Sequence, residues 1–142
     1  MRMERARLAV TVAVAGALIA ALAACSPTVG PPAEEPALRG VITMLTPGEG
    51  GGVVRVVWHE DTGERRELDA CDVTVGVETE VFDEGGALIG LADLAERDVV
   101  DVWISGPIAE SYPPQATADA IQLMGRFDAM RPLPIPPGLL SP

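Results

Sequence analysis

The sequence predicts a mostly β domain, a small five-stranded barrel with one short helix, preceded by an apolar helical signal segment. Three observations predict it. Leu8 to Ala21 carries no charge, follows a basic start and runs into Leu22-Ala23-Ala24-Cys25. Valine-rich stretches between residues 39 and 105 alternate with polar residues and are bounded by Gly, Pro and Asp clusters, as half-buried strands are. Aromatic residues make up only 4 % of the chain, so the core has to rest on Val, Leu, Ile and Ala.

The first segment, residues 1–24, has Arg2, Arg5 and Arg7 against a single Glu4. A basic start, an apolar middle and a small-residue exit make a secretory signal peptide. The run is short for a membrane span, which needs about 20 residues. Its exit reads as a bacterial lipobox. Cys25 would take diacylglycerol on its sulfur, and cleavage before it would free an amino group for a further acyl chain. Each buried methylene contributes about 0.8 kcal/mol, and two or more chains anchor stably where one is marginal. The alternative is an uncleaved signal anchor with a chance Cys. Both readings put the rest of the chain outside the cytoplasm, at the cell membrane or the outer membrane. Ser26 lacks the Asp that often retains lipoproteins at the inner membrane, which tilts the expectation towards an outer-membrane or cell-surface location.

Removing residues 1–24 leaves 7 basic and 20 acidic residues, a formal charge of -13. That balance repels phosphate backbones and excludes a nucleic-acid partner from the working readings. It would attract cations or basic partners. If Cys25 carries lipid, Cys71 has no partner within the chain and reads as a buried small apolar residue. An intermolecular bridge or a reactive thiol is the alternative.

Residues 25–37 are the lipidated Cys and a linker with Pro27, Pro31, Pro32 and Pro36. At about 3.1 Å per residue, an extended chain from Ser26 to Ala37 would span roughly 35 Å. The domain is expected over 38–130. Arg39 to Leu45 reads as a first strand, Thr46 to Gly52 as a loop, and Val53 to His59 as a second strand with Val54, Val56 and Trp58 on one face. Val73, Val75 and Val77 alternate with polar residues in a third strand that extends to Phe82. Leu88, Leu91, Ala92 and Ala95 fall at helical spacing and predict a short helix over 91–97. Val99 to Ser105 is the fourth strand, with Val100, Val102 and Ile104 on one face and Trp103 on the other. Ala118 to Met124 suits a fifth strand or a helix. The tail, 131–142, has five Pro and is excluded from a central strand. Three strands, a short helix and two strands is the element order of an OB-type barrel, a ligand-presenting scaffold.

Glu110-Ser111-Tyr112-Pro113-Pro114-Gln115-Ala116, with Val100 to Trp103 before it and Ala118 to Ile121 after it, resembles the YobA-like domain of unknown function. That family comprises small bacterial secreted proteins and lipoproteins. The resemblance covers roughly residues 39–124 and is specific in the Glu110 to Ala116 run. Members often carry Gly before the Asp that opens the fourth strand; Arg97 stands there in this chain. The resemblance implies an OB-like envelope domain and no particular activity or cofactor.

The best candidate binding set is Glu110, Ser111, Tyr112, Pro113 and Gln115. Tyr112 offers an apolar ring with a polar tip, and the prolines stiffen the loop, so little ordering entropy is lost on binding. The competing reading packs Tyr112 over a barrel end, with the prolines setting the crossover into the last strand. Other chemistry is thinner. His59-Glu60-Asp61 has a single His where zinc sites need more. Asp83, Glu84, Asp93, Glu96, Asp98 and Asp101 could gather a hard cation but match no calcium-loop spacing. Ser111, His59 and an Asp satisfy a hydrolase triad by residue type, without a Gly-x-Ser-x-Gly elbow. Gly48 to Gly52 lacks the Lys-Ser/Thr ending of a phosphate loop. Trp58 and Trp103 lie in strand patterns and read as core. The expectation is a membrane-tethered, non-enzymatic binding module without a cofactor or metal, whose partner is an envelope protein or small ligand. The alternative is a cation-binding envelope protein, and more weakly a hydrolase. Mass measurement of the mature amino terminus checks the anchor: a chain starting at acylated Cys25 is expected, and an intact Met1 start would overturn it.

Overall fold

A computed structural model describes residues 30–137 of the chain. The signal segment and Cys25 lie outside the described residues. Among those described, no helix is long and apolar enough to cross a membrane.

The mostly β expectation holds; the count of elements does not. Eight strands form one mixed sheet: β1 (Leu38–Gly48), β2 (Gly51–Val57), β3 (Ala70–Val75), β4 (Glu80–Phe82), β5 (Leu88–Ile89), β6 (Asp98–Trp103), β7 (Gln115–Thr117) and β8 (Ala120–Arg126). Their order is β5-β4-β8-β6-β1-β2-β3-β7. β3 and β7 run parallel, as do β4 and β8; the other neighbours are antiparallel. β1 and β2 form a hairpin in which Gly48 faces Gly51. The turn needs glycine: Gly50 has φ 72°, and a Cβ on Gly51 would sit 1.8 Å from the Val75 carbonyl oxygen.

The expected third strand is broken in two. β3 stops at Val75, and Val77, expected to face inward, is 89 % exposed. Thr79 causes the break: its hydroxyl accepts from Gly76 N–H at 3.0 Å and donates to the Ala118 carbonyl at 2.7 Å, folding 76–79 into a turn. The expected helix over 91–97 is a single 3-10 turn, Leu91–Asp93. Short acidic side chains compete for the backbone here. Asp93 accepts from Gly90 N–H and Asp98 from Ala95 N–H, while Leu94 is extended and buried. Arg97 then closes the turn at φ 78°. That conformation costs a non-glycine residue about 1–2 kcal/mol. The Arg97 guanidinium donates to the Asp128 and Arg131 carbonyls at 3.0 and 2.9 Å, which offsets part of it. Of Ala118 to Met124, open between strand and helix in the sequence, Ala120 to Met124 is strand within β8, and Ala118 and Asp119 link it to β7.

The main core contains Leu38, Ile42, Val54, Val56, Cys71, Val73, Val100, Val102 and Ile121. Trp58 and Ile104 pack against it, so both predicted aliphatic faces point inward. Trp103 lies on the other face in a small cluster with Phe82 and Ala120. Its Nε1–H donates to the Glu34 carbonyl at 2.8 Å, and Ala37 N–H donates to the Val102 carbonyl at 2.9 Å. Arg66 pairs with Glu35. The end of the Pro-rich linker is therefore laid on the sheet.

Three Arg–Asp pairs face each other directly across strands. Arg39 lies opposite Asp101 and holds it with two bonds, at 2.5 and 2.7 Å. Arg55 lies opposite Asp72, at 2.7 and 3.0 Å. Arg126 lies opposite Asp98, at 3.2 Å. The paired carboxylates raise the Arg39 and Arg55 guanidinium pKa values, mainly by hydrogen bonding. Asp101→Ala leaves a half-buried Arg39 without its counter-charge and should cost about 1–2 kcal/mol, below the usual figure for a fully buried pair because Arg39 keeps solvent contact. Urea denaturation with an unchanged slope and a lower midpoint checks this.

Candidate functional site

The loop between β6 and β7 carries the candidate set. Pro107 cannot extend β6 as a paired strand, since it has no N–H. The chain then closes on itself at Ala109 and Gln115. Ala109 N–H donates to the Gln115 carbonyl at 2.8 Å, and Gln115 N–H donates back at 3.2 Å. Two further bonds stiffen the ring. Ser111 Oγ donates to the Pro113 carbonyl at 2.6 Å, and Asp72 N–H donates to the Pro114 carbonyl at 2.7 Å, tying the loop to β3. The Tyr112–Pro113 peptide bond is cis.

The predicted residues divide by role. Pro113 is buried and Ser111 is half-buried and engaged in the loop's own hydrogen bond, so these two hold the shape. Glu110, Tyr112 and Gln115 are exposed, and Tyr112 stands 79 % exposed at the tip. The competing expectation, that Tyr112 packs over the end of the domain, does not describe this geometry. Pro113 is the residue that packs.

The thinner candidates are absorbed by structural roles. His59 Nδ1 accepts from Asp61 N–H at 3.1 Å, capping the 3-10 turn Glu60–Thr62, and its ring meets Phe127 edge-on at 5.0 Å. Asp61 pairs with Arg131. No hydrogen bond joins Ser111 to His59 among the described residues. Of the carboxylates weighed as cation ligands, Asp98 and Asp101 are buried ion-pair partners. Asp83 accepts from Gly85 and Ala87 N–H, and Asp93 from Gly90 N–H. Among the described residues no three metal-ligating side chains come together. Trp58 Nε1–H donates to the Gly63 carbonyl at 3.0 Å, and its ring has the Arg65 guanidinium 6.0 Å away.

Cys71 is fully buried in the main core, as its lone position suggested. Burial, and secondarily the Asp72 charge, push its thiol pKa up to about 11.

Sequence reasoning missed the bonds that close the loop. Backbone groups carry no sequence label, and Pro107 with the Pro113-Pro114 pair was the one signal that could have bracketed the closure.

Compared with known proteins, the chain matches no family model, no curated protein and no solved structure.

The Cys71 environment makes a prediction with a definite sign. An unfolded chain loses the thiol proton near pH 9, the native chain only near 11. Stability from this group is full below 9 and falls as pH rises from 9 to 11. In Cys71→Ala that alkaline slope should flatten in urea titrations. Iodoacetamide at pH 8 should label wild-type Cys71 only after denaturation.

Proposed function

We propose that this chain is a lipid-anchored envelope protein of the YobA-like kind, acting as a non-enzymatic binding module through its Ala109–Gln115 loop. The observation that carries the reading is Tyr112, 79 % exposed on a loop closed at its base by Ala109 and Gln115 and tied to β3 through Pro114. A large aromatic side chain in water normally finds cover. Here the loop spends two prolines, a serine bond and a backbone bridge on holding Tyr112 out. A contact surface of that kind binds with little loss of freedom. Glu110 and Gln115 flank the ring with an acceptor and a mixed donor–acceptor group.

The scaffold we propose is a five-stranded OB-like barrel. β7 and β8 are separated by Ala118 and Asp119 only, and they act as two halves of one bent strand. The first half lies beside β3, the second beside β6, and β6 lies beside β1. Taken as one strand, this closes a ring of β1, β2, β3, β7–β8 and β6, with β4 and β5 as an added flap. Such a closure would protect strand edges in an extracellular domain. The anchor reading rests on the Leu22 to Cys25 pattern. The cation-binding alternative draws mostly on carboxylates already engaged in structural bonds, and the hydrolase alternative on Ser111 and His59, which are engaged too, so the loop is the better-supported site.

Photo-crosslinking at position 112 in the native cell, followed by mass spectrometry, tests the reading. A discrete envelope partner is expected. Tyr112→Ala should weaken its capture about 30-fold, as truncating an aromatic anchor costs about 2 kcal/mol. Unchanged capture by Tyr112→Ala would reject the loop as the contact.

A further inference from the structure

Residues 31–36 of the linker are held to the sheet by little. Among the described residues two polar contacts reach them: Trp103 Nε1–H donates to the Glu34 carbonyl at 2.8 Å, and Arg66 pairs with Glu35. Firm attachment starts one residue later. Ala37 N–H donates to the Val102 carbonyl, and the Ala37 carbonyl accepts from Leu68 N–H at 3.0 Å. No side chain of the segment is fully buried: Pro31, Pro32 and Pro36 are half-buried, and Ala33, Glu34 and Glu35 are exposed. A cleft of about 580 Å³ remains between the segment, the 64–67 stretch and the end of β6.

The docked state is close to balanced. Arg66 reaches Glu35 through Nη1 alone, and its Nε–H is buried with no acceptor among the described residues. A buried donor without an acceptor is unfavourable, and release lets water meet it. The ion pair gives little in return, because the Glu35 side chain is 73 % exposed. Two things keep the segment down. One is the Trp103 bond. The other is its prolines, whose fixed φ leaves less freedom to regain on release.

We infer that residues 31–36 are a releasable latch on the membrane tether. The inference rests on the anchored binding-module reading and says how that module reaches its partner. Docked, the segment leaves only Ser26 to Gly30 between Cys25 and the domain, a reach of at most about 15 Å. Released, it adds six residues, about 19 Å of extended chain. The pivot is Pro36–Ala37, because the bonds at Ala37 continue the β1 ladder and stay. A partner held beyond the docked reach can meet Tyr112 only in the released state, so binding it selects that state. Pro31 marks the docked position: it lies against the β4–β5 turn, where a Cβ on Gly86 would be 3.6 Å from its ring.

The test uses the mature, acylated chain in detergent micelles with two NMR readouts. The first is solvent exchange of the Trp103 indole N–H. Local release makes that exchange nearly independent of urea below the unfolding transition, unlike amides of β1 and β6 that open only with the whole domain. Glu35→Gln should speed it about threefold, and raised salt should act in the same direction. Arg65→Gln, which lines the same cleft but pairs with Asp69, should exchange as wild type. The second readout is a nitroxide at Ser26→Cys. It should broaden the Gly86 amide, and the broadening should fall at least about twofold in Trp103→Phe/Glu35→Gln. Glu35→Gln alone keeps the test sharp should Trp103→Phe fold poorly. Trp103 N–H exchange that tracks global unfolding, or Gly86 broadening that is absent or unchanged in the double variant, overturns the latch and leaves the anchored loop reading standing. An unacylated Cys25 overturns the anchor instead, and with it the extended reach.

Discussion

Directly opposed Arg–Asp pairs hold the register of this sheet. Arg39 with Asp101, Arg55 with Asp72 and Arg126 with Asp98 join β1 to β6, β2 to β3, and β6 to β8. Each pair on its own stabilises by a fraction of a kcal/mol to about 1 kcal/mol. Their larger effect is on alternatives. A slip of one residue turns every side chain to the other face. It would place a guanidinium where Leu38 or Val56 now packs, and would take away its counter-charge as well. A Val-rich sheet has many near-equivalent ways to pair; these three contacts distinguish one of them. The loop that carries Tyr112 depends on that choice, because Asp72 is both the partner of Arg55 and the backbone donor to Pro114.

The aliphatic faces were legible because they follow a period of two. Val54 and Val56, and Val100 and Val102, are fully buried where alternation placed them. Cys71 was legible from its isolation. What alternation could not show was where a strand stops. Val77 continues the pattern of Val73 and Val75, yet lies in water because Thr79 captures the Gly76 N–H. The spacing of Leu88, Leu91 and Ala95 suited a helix, but Asp93 and Asp98 bind the backbone locally and cut it to one turn. Both failures have one cause: a short polar side chain outbids the regular ladder, and periodicity of apolar residues does not register it.

The candidate loop was legible as composition and only partly as shape. Tyr112 between Ser111 and Pro113 marked it as stiff. Which residues point outward followed from long-range contacts: Pro114 anchored to β3 and Gln115 to Ala109. The acidic residues were misleading in the opposite sense. Asp98 and Asp101 look like surface charge in a chain of this composition, yet they are 5 % and 3 % exposed and serve as counter-ions to strand arginines. An Arg inside a Val-rich strand was the sign that a buried carboxylate waited across from it.

The corner at Arg97 ties the two ends of the fold's last third together. Its left-handed backbone is held by its N–H donating to the Ile42 carbonyl and its carbonyl accepting from Phe127 N–H, and its guanidinium by the carbonyls of Asp128 and Arg131. Residues past β8 are thus part of the corner's support. A fragment cut at Phe127 would keep all eight strands and still lose the acceptors that make an arginine tolerable at φ 78°. A fragment that keeps the corner's support has to retain Arg131, so a truncation of the proline-rich end for crystallisation or fusion belongs on its far side.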